Sequence, residues 1–72
     1  VKTIEERWFD FRARCISSRA SEVELHTLRI VFYAGFKAML DFNMEIALLD
    51  DEPAVLELEK INMEARRFGA SL

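Results

Sequence analysis

Between Leu28 and Leu49 the chain is apolar around most of a helical circumference. Leu28, Ile30, Val31, Phe32, Phe36, Met39, Leu40, Phe42, Met44 and Ile46 occupy nearly every direction around the axis. The polar residues are confined to one drifting stripe: Glu22, His26, Arg29, Tyr33, Lys37, Asp41 and Glu45, at spacings of three or four. A helix of this kind must be buried on most sides. The charges within it argue against a membrane span, because each costs roughly 2.5–3.5 kcal/mol near a bilayer centre.

That demand is hard to meet in 72 residues. A chain of this size buries only about 60% of its unfolded surface, so small domains add disulfides, metals or subunits. The single cysteine, Cys15, excludes an internal disulfide, and the single histidine, His26, excludes a Cys/His zinc cluster. Self-association is the remaining support, so a homo-oligomer, a dimer or higher, is expected. No cofactor or metal is expected.

Two glycines and one proline leave little to interrupt helix. Thr3 and Glu6 form a capping box opening a first helix, with an apolar stripe of Ile4, Trp8, Phe11 and Cys15, ending near Ile16. Ser21 and Glu24 repeat that box before a long helix, roughly Glu22 to Leu49, about 42 Å at 1.5 Å per residue. Asp50-Asp51-Glu52-Pro53 then suits the start of a third helix, its acids at the positive dipole end. Its stripe is Val55, Leu58, Ile61, Ala65 and Phe68, with Gly69 as the stop and a Lys60–Glu64 surface pair. The expectation is a single all-α domain over 1–72. Its long central helix is flanked by two shorter antiparallel helices, and the bundle is completed by a second copy.

The net charge of −3 weighs against duplex nucleic acid as a partner. Its distribution is uneven: residues 1–40 carry seven basic and five acidic side chains, residues 41–72 three and eight. Charge complementarity with a partner is one use of such an asymmetry. Val1-Lys2-Thr3-Ile4-Glu5-Glu6 has no apolar signal-peptide core, and an unpaired cysteine suits a reducing cytoplasm. A cytoplasmic location is expected, with no membrane partner.

At Arg7-Trp8, Phe11-Arg12 and Leu28-Arg29 followed by Phe32-Tyr33-Ala34-Gly35, the chain resembles a group of small all-helical proteins. These are encoded by tailed phages and proteobacterial prophages. The similarity spans about residues 4–68, and its distinctive stretch is Arg-x-x-Phe-Tyr-Ala-Gly. The resemblance implies a phage accessory protein of unassigned role in the host cell; such small proteins often antagonise host immunity, by blocking an effector or by sequestering a nucleotide signal. It carries over no catalytic residue.

Two groups of residues stand out. Arg29, Tyr33 and Lys37 lie one turn apart and could hold a phosphate-bearing ligand with a stackable base. The plainer reading is a solvated stripe with a Lys37–Asp41 pair. Phe32, Gly35, Phe36, Met39, Leu40 and Asn43 are expected at an oligomer interface, where Gly35 with Ala34 and Ala38 permits close helix approach and Asn43 fixes register. Asp41, Asn43, Glu45 and Glu52 imitate calcium-loop positions, but Ile46 stands where the turn needs glycine. Cys15 and His26 lack a third orienting group for nucleophilic catalysis. The expected function is therefore non-enzymatic: antagonism of a host protein by direct contact, with a nucleotide sponge or a virion assembly role as alternatives.

Overall fold

The computed structural model describes all residues, Val1–Leu72, as three helices: α1 (Ile4–Cys15), α2 (Glu22–Ile46) and α3 (Asp51–Ala70). There are no strands, and no helix is long and apolar enough to cross a membrane. Two compact units divide the chain, Val1–Leu40 and Asp41–Leu72, with the boundary inside α2.

Local chemistry accounts for the helix starts. Thr3 Oγ1 accepts from the Glu6 N–H at 3.1 Å, and Glu6 Oε1 accepts from the Thr3 N–H at 3.1 Å, closing the capping box. Ser21 caps α2 by accepting from the Glu24 N–H at 3.1 Å. At α3 the N-cap Asp50 is extended and makes no side-chain cap bond, so Asp51 and Glu52 act only through their charge in the first turn.

The helix ends depart from the sequence expectation in two places. α2 stops at Ile46, not Leu49, because Leu48 and Leu49 donate to carbonyls three residues back, Glu45 and Ile46, in a tightened turn. α3 passes through Gly69, whose φ is not positive, and ends at Ala70. Ser71 replaces the glycine stop: its N–H and hydroxyl both bond the Phe68 carbonyl, the hydroxyl at 2.7 Å.

The core belongs to the first unit. Trp8 is its centre, 1% exposed and the one buried residue of the chain. The Trp8 ring lies 5.6 Å from Phe32 and 6.2 Å from Phe11, and Phe32 lies 5.2 Å from Phe11 and 5.3 Å from Phe36. These are the tilted separations at which aromatic pairs attract beyond their area. α1 and the first part of α2 are thus joined by one aromatic cluster. In the second unit no residue is buried, and Phe42, Ile46, Ala54, Glu57 and Ile61 are half-buried.

Candidate functional site

Arg29 is the most connected polar residue of the first unit. Its Nη2 donates to Tyr33 Oη at 3.3 Å and to Glu5 Oε2 at 3.4 Å. The guanidinium also stands over two rings, 5.6 Å from the Phe9 centroid and 5.4 Å from that of Tyr33. The bond to Tyr33 pushes the Arg29 pKa above its ordinary value; desolvation opposes the rise and the Glu5 charge adds to it. Glu5 and Phe9 lie one turn apart on α1, and Arg29 and Tyr33 one turn apart on α2. The four side chains therefore latch the two helices beside the aromatic cluster.

This geometry gives Arg29 a partner that the sequence did not reveal. The Arg29–Tyr33 contact follows from i,i+4 spacing, whereas Glu5 is 24 residues away and reads as a solvated first-turn acid. An arriving anion would meet a guanidinium already facing a carboxylate. Lys37 is exposed, and both it and Asp41 have interactions of their own. His26, Arg29, Ile30 and Tyr33 line a shallow, open depression without deep walls.

The expected interface residues separate into two sets. Phe32 and Phe36 are half-buried in the aromatic cluster within the chain. Gly35, Met39, Leu40 and Asn43 are exposed. A Cβ built on Gly35 would meet nothing within 4 Å, so α1 does not pack against it. The Lys60 ammonium bonds Glu57 at 3.1 Å, one turn before it, and not the expected Glu64 one turn after it. Cys15 and His26 are both exposed. No group of three or more His, Cys, Asp or Glu side chains is placed to hold a metal ion. Lys2 pairs with Asp10 and holds its carboxyl below the usual 3.8, the hydrogen bond contributing most.

No protein-family model, curated protein or solved structure matches the chain.

Proposed function

We propose that the protein acts by binding other proteins, first a second copy of itself and then a partner with a basic surface. One observation carries this reading: Trp8 alone is buried, against seventeen exposed large apolar side chains. Apolar surface of this extent marks sites of association.

The acidic second unit supplies the complementary charge for the outside partner. Asp50, Asp51, Glu52, Glu57, Glu59 and Glu64 far outnumber Lys60, Arg66 and Arg67. Antagonism of a host defence factor, a role that small phage accessory proteins often play, is a use of the same kind. The latched state of Arg29 favours this reading over a nucleotide sponge.

Light scattering at micromolar concentration tests the first step. A mass at least twice 8.4 kDa is expected, and a well-folded monomer overturns it. Thermal shift with cyclic nucleotides tests the competing ligand, since saturation at 100 times Kd adds about 2.7 kcal/mol. No shift is expected, and a salt-sensitive rise would favour the nucleotide sponge instead.

A further inference from the structure

In the first unit, α2 turns Leu25, Arg29, Phe32, Tyr33 and Phe36 inward or half-inward. At about 100° per residue the opposite side presents Val23, Thr27, Ile30, Val31, Ala34 and Ala38 within an arc of about 100°. All six are exposed, with Val23 at 76%, Ile30 at 57% and Val31 at 63%. None is charged, so this is a continuous face of about four turns that α1 does not cover.

We propose that this face is where two copies meet, as an antiparallel α2–α2 contact across a two-fold axis beside Ile30 and Val31. The inference rests on the self-association reading above and names the surface that performs it. The argument for a second copy is the order of side-chain sizes. The face is bulky at its start, Val23 and Thr27, and small at its end, Ala34 and Ala38. A two-fold axis makes residue i meet j while j meets i. Reversal about the centre sets Val23 against Ala38, Thr27 against Ala34, and Ile30 against Val31. Large then faces small at both ends of the seam, the condition for interdigitation without voids or overpacking, and the bulky Ile30 and Val31 meet only at its centre. A parallel copy sets Val23 against Val23 and Ala38 against Ala38, which crowds one end and leaves a gap at the other.

Disulfide trapping tests the arrangement, in a chain carrying Cys15→Ser to remove the exposed native thiol. Bridging needs Cα atoms within about 7 Å. Ile30→Cys lies beside the axis and is expected to form a covalent dimer on mild oxidation. Val23→Cys is expected to stay unbridged, because reversal places the two copies of residue 23 roughly 22 Å apart along the seam. Combining Val23→Cys with Ala38→Cys restores bridging. Ala34→Glu, read by light scattering with helicity checked by circular dichroism, is expected to halve the mass and keep α2. The opposite bridging pattern, Val23→Cys alone cross-linking, overturns the antiparallel contact. A stable oligomer that neither Ile30→Cys bridges nor Ala34→Glu dissociates overturns this face while leaving self-association standing. A monomeric parent protein overturns both.

Discussion

The two units of the chain are built on different balances. The first, Val1–Leu40, holds Trp8, a ring cluster spanning α1 and α2, and an ion pair between those helices. The second, Asp41–Leu72, has no buried residue, and its Lys60–Glu57 pair lies within a single helix. Six of the eight aromatic residues fall in the first unit; Phe42 and Phe68 remain for the second. The first carries a net charge of +2 and the second −5. The first is thus organised round a buried tryptophan and its neighbouring rings, the second round half-buried side chains only, Phe42 and Ile46 on α2 and Ala54 and Ile61 on α3. The second unit is accordingly the part that gains most from a partner.

The strongest challenge to this contrast is Trp8→Ala. Truncating a buried tryptophan costs about 3–5 kcal/mol. Amide exchange in α1 and the first half of α2 should accelerate sharply. Phe68→Ala, at a side chain 68% exposed, should change stability by less than about 0.5 kcal/mol in dilute protein. A large loss at Phe68 with a small one at Trp8 would invert the comparison.

Gly35→Ala sharpens it from the other direction. The added methyl meets no atom within 4 Å, so only helix propensity changes. Stability should rise by about 1 kcal/mol with the mass unchanged. A loss of the oligomer would instead put Gly35 inside an interface between copies.

The two ion pairs come next. Glu5→Gln removes an interhelical charge contact whose Arg29 side chain is 38% exposed, and Glu57→Gln removes a local one. Both should cost no more than about 1 kcal/mol, because exposed pairs are weak and screened by salt. The difference lies in coupling: a double-mutant cycle of Glu5→Gln with Tyr33→Phe should be non-additive, since both residues share Arg29. Additivity would mean that the latch does not act as a unit.

The smallest effect is that of pH at Asp10. Its folded pKa lies below its ordinary value, so the folded state binds fewer protons there. The Lys2–Asp10 contribution is present above about pH 4 and fades as pH falls through the folded pKa. Acid titration of Tm should show a slightly shallower fall for Asp10→Asn. An unchanged curve would mean that the pair makes no difference to folding.

These contrasts also show where sequence reasoning reaches. Thr3 with Glu6 and Ser21 opposite the Glu24 amide are decided within one turn, so both helix starts could be read directly. Ala47, Leu48 and Leu49 could not, because a short apolar run looks the same in a helix and in the turn that ends one. Gly69 misled for a related reason: Ser71 satisfies the terminal carbonyl first, and the helix needs no left-handed residue. Arg29 shows the larger limit. Its place on the polar stripe was legible, whereas Glu5 and Phe9 depend on the register between two helices, which no spacing within either one encodes.

Trp8 has one further consequence, which is optical. The only indole of the chain sits in its only fully enclosed position, so its emission is a built-in reporter of the first unit. Far-ultraviolet ellipticity, by contrast, sums over all three helices. Coincidence of transitions seen by different probes is a standard sign of all-or-none unfolding. In this molecule the separation between the fluorescence and ellipticity curves becomes a direct readout of how far the second unit melts on its own.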